Sequence, residues 1–132
     1  MPIKYSKDYE LQASVSEIAK MLFPHVCMDS VAVLRSHGST SRGTIARCHA
    51  LGKAMQIGLG RKGFYLIEII SERFDRLSNE DKIKTLIHEL MHIPKCFGGG
   101  FKHHDYVCER NVDRMYQHYT NLRKRGENGI WF

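Results

Sequence analysis

The chain has 132 residues, a length that fits one domain, and 42% of them are hydrophobic, which is enough for a small core without disulfide support. Charged residues make up 26% and aromatic residues 10%, a composition that excludes a disordered chain. We therefore expect a single domain over residues 1–132. The formal net charge of +6 is compatible with attraction to nucleic acid or to acidic surfaces.

The first residues, MPIKYSKDYELQ, carry charges where a secretory signal would need an apolar segment. The longest apolar runs, such as residues 64–70, are far shorter than the roughly 20 residues of a membrane-spanning helix. The four cysteines are scattered and form no CxxC pair. We expect reduced thiols, a cytoplasmic protein and no membrane partner.

In the first half of the chain, residues 7–22 place apolar side chains at helical spacing, and Phe23-Pro24 ends the run. The segment at residues 30–37 is rich in β-branched residues and predicts a strand, which the loop GSTSRG follows. Three more strands are predicted, at residues 44–51, 54–59 and 64–70.

The second half is predicted to be helical. Ser78 and Asp81 have the spacing of a capping box, an apolar stripe follows, and Pro94 ends a helix that runs to about Ile93. Residues 98–100 are three glycines and predict a loop, and a last helix is expected over residues 104–124. One helix, three or four strands and two helices make an α+β domain with helices on one sheet.

The helix at residues 78–93 carries the most informative motif of the chain, His88-Glu89-Leu90-Met91-His92. Side chains four apart on a helix share one face, so both imidazoles can grip one zinc ion at about 2.0–2.1 Å. Glu89 stands beside the first ligand, where its carboxylate can accept a proton from water. This HExxH arrangement is typical of zinc peptidases.

A catalytic zinc needs a third protein ligand and an open position for water. The candidates in the sequence are His103, His104 and Glu109. Pro94 and the glycine run turn the chain back toward the metal near residues 103–104, whereas Glu109 starts a Glu-x-x-x-Asp pattern with Asp113 in the style of gluzincin peptidases. The residues favour His104 and leave the other two open.

The segment SERFDRLSNEDKIKTLIHELMHIPKCFGGGFKHH resembles the archaeal and phage metallopeptidases of the SprT-like minimal zincin group. The group's pattern falls on residues 71–75, on HELMHIP at residues 88–94, on Gly99-Gly100 and on His104. The resemblance implies a zincin-like fold and a zinc ion held by His88, His92 and His104, with Glu89 as the base. The chain departs from the pattern at Gly98 and at the extra His103.

These observations predict a zinc metallopeptidase that hydrolyses protein or peptide substrates, with an edge strand at residues 44–51 holding the substrate. No organic cofactor is expected. The alternative is a zinc-bearing binding module without turnover, such as a DNA-associated accessory protein.

Two further hypotheses concern other parts of the chain. A structural zinc site could use the side chains Cys96, His103, His104 and Cys108, although their spacing matches no common zinc finger. The basic cluster Arg123-Lys124-Arg125 could bind nucleic acid, and SprT-like relatives act on DNA-bound proteins, but the sequence shows no dedicated DNA-binding segment.

Overall fold

The structure is a computed structural model that describes residues 2–102 and 106–127. Within these residues the chain forms one four-stranded sheet and five α-helices. The strands are β1 (Lys4–Lys7), β2 (Val31–His37), β3 (Ala46–Ala50) and β4 (Tyr65–Ile70). The helices are α1 (Tyr9–Leu22), α2 (Lys53–Leu59), α3 (Ser71–Phe74), α4 (Asn79–Met91) and α5 (Glu109–Glu127). The predicted α+β class is confirmed.

The sheet has the strand order β1-β2-β4-β3, which places β3 at one edge. β2 and β4 are parallel, with Val33 opposite Ile67. β3 runs antiparallel to β4, with Cys48 opposite Ile67 and Ala46 opposite Ile69. The expectation that the segment near residues 44–51 forms an edge strand agrees with this order.

One face of the sheet packs against α1 and α4, and α5 packs against these two helices. Because successive side chains of a strand point to opposite faces, Ile67 and Ile69 of β4 face the helices while Glu68 between them does not. The helices contribute one apolar stripe each to the shared core. The fully buried members include Val15, Ile18 and Ala19 from α1 and Leu86, Ile87 and Leu90 from α4.

Helix α4 begins where the sequence predicts and ends at Met91, two residues before the predicted end. The Ser78 side chain accepts a hydrogen bond from the Asp81 backbone N–H at 3.1 Å, which satisfies one of the free donors of the first turn. His92 is the C-terminal cap, and the Ile93 N–H donates to the Leu90 carbonyl in a tightened last turn before Pro94. This helix carries the HExxH motif.

The prediction of a strand at residues 54–59 is wrong, because these residues belong to helix α2. Gly52 caps its start, and Gly60 ends it in the left-handed conformation at φ 67°. Met55 and Leu59 are strong helix formers, and short apolar runs do not separate helix from strand by pattern alone.

Two other boundaries differ from expectation. Strand β1 is entirely exposed and has no apolar alternation, so the sequence contains no strand signal there. The last helix is predicted from His104, whereas α5 begins at Glu109 and Tyr106 and Val107 precede it in a turn. His104 itself lies outside the described residues. No helix among the described residues is long and apolar enough to cross a membrane.

Candidate active site

The C-terminal turn of α4 brings two imidazoles together. The Nε2 atoms of His88 and His92 lie 3.4 Å apart, and their ring centroids are 5.1 Å apart with the planes at 69°. Since the two residues are one turn apart on a well-formed helix, the helix places both side chains on one face. The pairing predicted from the HExxH spacing is present in the structure.

The separation of the two Nε2 atoms fits one tetrahedral metal ion. Two nitrogens that each lie about 2.0–2.1 Å from one tetrahedral zinc are roughly 3.4 Å apart, which is the separation found here. Two neutral imidazoles are also a ligand type that zinc prefers. The pair His88 and His92 therefore fits a zinc site.

A backbone carbonyl orients His92. The Nδ1 atom of His92 lies 2.9 Å from the Lys102 carbonyl oxygen, which can only accept a hydrogen bond, so Nδ1 carries the proton. The neutral ring then presents the Nε2 lone pair toward His88, as a metal ligand requires. The Lys102 N–H also donates to the His92 carbonyl at 2.8 Å, so the backbone of Lys102 is hydrogen-bonded to both the side chain and the backbone of His92.

Glu89 follows His88 in the sequence, and its carboxyl group is buried. Only 6% of the residue is exposed, and burial raises its pKa to about 7. A carboxyl group with a pKa near neutral pH is well matched to accept and return a proton. Cys48 of β3 is close enough to Glu89 for their charges to interact. Burial first, and then the charge of Glu89, raise the pKa of the Cys48 thiol to about 12.

A cleft of about 610 Å³ opens beside His88 and Glu89. One wall is the chain at residues 43–46 that leads into edge strand β3, and the opposite walls are α4 and the start of α5. Ile45, Leu77 and Val112 supply apolar surface, and Glu109 lies on the α5 side. The cleft therefore lies between the start of edge strand β3 and Glu89.

The structure describes only part of the predicted ligand set. His103 and His104 lie outside the described residues, so the third ligand and the alternative four-ligand site with Cys96 and Cys108 stay predictions. Within residues 2–102 and 106–127, no three His, Cys, Asp or Glu side chains are grouped to hold a metal ion. Glu109 thus lines the cleft without joining His88 and His92 in such a group.

Two residues near the site carry no signal in the sequence. Lys102 acts through its backbone carbonyl, which any residue type provides, so only its distance from His92 reveals it. Cys48 comes close to Glu89 because β3 pairs with β4 above α4, and that contact depends on the sheet order.

Comparison with known proteins finds a match to a family model but not to an individual protein. No curated protein and no solved structure matches the chain. A family model described as putative phage metallopeptidase matches residues 3–123, which include every element from β1 to α4 and most of α5. The chain therefore belongs to the phage metallopeptidase family.

Proposed function

We propose that this protein is a zinc-dependent peptidase of the HExxH type in which His88, His92 and His104 hold the metal and Glu89 is the general base. The observation that carries the proposal is the 3.4 Å approach of two Nε2 atoms beside a buried carboxyl group at the wall of a cleft. The motif resembles that of the SprT-like minimal zincins. We propose that residues 1–132 form a single domain, which contains all of these site residues.

His104 is proposed as the third ligand because Lys102, two residues earlier, contacts His92. The Lys102 carbonyl is 2.9 Å from His92 Nδ1, and two residues span at most about 7 Å of extended chain. The chain thus contacts His92 two residues before position 104, and the SprT-like pattern has its third ligand at this position. Glu109 is a weaker candidate, since it joins no metal-holding group among the described residues.

When bound, zinc would supply a Lewis acid that acidifies water and polarises the scissile carbonyl. The Glu89 carboxylate accepts a proton from the attacking water and donates it to the leaving amine. Burial of Glu89 raises its pKa above the ordinary value of a carboxyl group. The Lys102 carbonyl holds the His92 imidazole in the tautomer that binds metal.

Edge strand β3 is proposed to hold the substrate in extended form. The Ile70 N–H donates to the Ile45 carbonyl and the Leu51 N–H donates to the Phe64 carbonyl, so alternate residues of this segment pair with β4. By the antiparallel pattern, the backbone groups of Ala46, Cys48 and Ala50 face the open edge. A peptide paired there would run along the cleft past Glu89.

Zinc content tests the proposal. The purified parent should hold one zinc per chain, whereas His88→Ala and His92→Ala should each lose most of it, because two ligands cannot replace three. His118→Ala is the matched control, since His118 is an exposed histidine on α5. Equal zinc content in the parent and both ligand variants would refute the site.

A further inference from the structure

A buried tyrosine fastens the loop that follows α4. Tyr65 of β4 is 0% exposed, and its hydroxyl donates to the Gly100 carbonyl at 2.8 Å and accepts from the Gly99 N–H at 3.0 Å. Burial raises the pKa of this hydroxyl, so it remains protonated and able to donate. One side chain thus satisfies two backbone groups of a glycine-rich loop.

A buried glutamine fastens the same loop from helix α2. The Gln56 side-chain amide donates to the Leu51 carbonyl at 2.8 Å and to the Gly98 carbonyl at 3.1 Å. Gly99 lies between these groups at φ 101°, and a Cβ there would approach both the Gln56 amide nitrogen and the Leu51 carbonyl oxygen to 2.7 Å. The loop therefore needs glycine at position 99 to lie this close to both anchors.

The fastened loop leads directly to the carbonyl that orients His92. Phe101 follows Gly100, and its ring makes edge-to-face contacts with the rings of Tyr65 and His92, at centroid distances of 6.2 and 6.4 Å. Lys102 comes next and makes the two hydrogen bonds to His92 described above. A single residue separates the backbone bound by the tyrosine from the carbonyl bound by the imidazole.

We propose that Tyr65 and Gln56 are positioning residues for the metal site, which act through the loop at residues 98–102 on the orientation of His92. Three consecutive glycines give this loop many conformations, and the two side chains remove that freedom before metal binds. The inference rests on the proposed zinc site, because positioning has meaning only if His92 is a ligand. It assigns a function to a buried hydroxyl that no catalytic step uses.

Tyr65→Phe isolates the hydroxyl, since the ring that packs against Phe97 at 4.8 Å is retained. We expect zinc affinity to fall by up to about 10-fold, less than the roughly 10- to 100-fold loss that follows removal of a direct partner of a metal ligand. The Co²⁺-loaded variant should also show a visible absorption spectrum altered from that of the parent. Affinity is measured by competition with a chelator, at a temperature where urea unfolding shows the metal-free variant to be folded.

Tyr119→Phe is the matched control. Tyr119 is also a buried tyrosine, and its hydroxyl accepts from Arg123 at 3.1 Å on α5. This variant should keep parental zinc affinity even if it loses stability. Gln56→Leu is the second test, because it removes the other anchor while Tyr65 remains, and it should also weaken zinc binding.

The outcomes separate this inference from the proposed function. Parental zinc affinity in folded Tyr65→Phe and Gln56→Leu would overturn the positioning role, as would an equal loss in Tyr119→Phe. A parent that binds no zinc, or a His88→Ala variant that binds it as well as the parent, would instead overturn the zinc site itself.

Discussion

Glu89 differs from the other carboxylates of α4 in its surroundings. Glu80 and Asp81 occupy the exposed first turn, where Glu80 pairs with Lys84 at 2.9 Å. Glu89 lies near the other end of the helix, buried at the wall of the cleft, and its pKa is raised to about 7. The same helix therefore carries ordinary surface carboxylates and one whose pKa is raised by burial.

Replacing Glu89 by Gln should strongly reduce turnover and leave zinc content unchanged, because an amide of the same shape cannot accept the proton of water. The expected loss is about 10²- to 10⁴-fold in rate, the usual contribution of one general base. Cleavage of labelled, unfolded casein measures it, with Glu80→Gln as the control on the same helix. Casein cleavage at the parental rate by the Glu89→Gln variant would remove Glu89 from the mechanism.

The sequence predicts the grouping of His88, Glu89 and His92 because their proximity requires only one turn of helix. The contacts of His92 with Lys102 and of Tyr65 with the glycine loop are not predicted by it. Both contacts join segments that are brought together by the path of the loop or by the sheet order, and residue spacing predicts neither of these features. The hydroxyl of Tyr65 has no distinguishing sequence pattern around it.

At the scale of elements, helices with complete signals are predicted well. Helix α4 has a capping serine, an apolar stripe and a proline stop, and its observed bounds lie within two residues of the predicted ones. Helix α2 has only seven residues and is too short to show a period, and its three large apolar side chains are all exposed. Its conformation is fixed by glycine caps and by the contacts of Gln56 with residues outside the helix.

Asp8 ties the start of α1 to the sheet. Its side chain accepts from the Leu11 N–H at 2.9 Å and from the Arg35 guanidinium at 2.6 Å. The backbone hydrogen bond first, and then Arg35, lower the pKa of Asp8 below its ordinary value. A carboxyl group with a lowered folded-state pKa stabilises the fold above its unfolded-state pKa and loses that contribution as pH falls.

Asp8→Asn should therefore be less stable than the parent at pH 7, by up to about 1 kcal/mol for a partly exposed ion pair. Asparagine keeps the helix cap, whereas Asp8→Ala also loses it and should cost roughly 0.5–2 kcal/mol more. The gap between parent and Asp8→Asn should narrow below about pH 4, as the parental carboxyl becomes protonated. Urea unfolding at several pH values measures this gap, and a gap that widens in acid would contradict the role of the Asp8 carboxylate.

Edge strand β3 provides a test of substrate binding. Ala46→Pro removes a backbone N–H that faces the open edge and leaves the bonds to β4 intact. If a substrate strand pairs there, KM should rise by about 2- to 10-fold, the effect of losing one hydrogen bond. Ala46→Ser is the control because it keeps the N–H, and equal KM values for the two variants would exclude pairing at this position.

At the scale of the whole molecule, the positive charge raises the question of nucleic acid. Arg123 is engaged within the fold, where it donates to Glu17 of α1 at 2.6 Å and to Tyr119 at 3.1 Å. Lys124 and Arg125 are exposed in the last turns of α5. A test of the basic cluster should therefore spare Arg123, which helps to hold α5 against α1.

The hypothesis of DNA binding predicts an affinity for duplex DNA that falls steeply with salt, as counterion release requires. Replacing Lys124 and Arg125 together by Ala should lower the slope of log affinity against log salt by up to about 2, with zinc content unchanged. A gel-shift titration at low salt measures the complex. The absence of a complex at micromolar protein would show that this charge does not serve DNA binding.

The most direct test of the zinc site is a crystal structure of the zinc-loaded protein with an anomalous map at the zinc edge. We expect one ion at about 2.0–2.1 Å from the Nε2 atoms of His88 and His92, with His104 as the third ligand and an open position facing Glu89. An ion held by cysteines, or the absence of any ion between the two imidazoles, would contradict the proposed site.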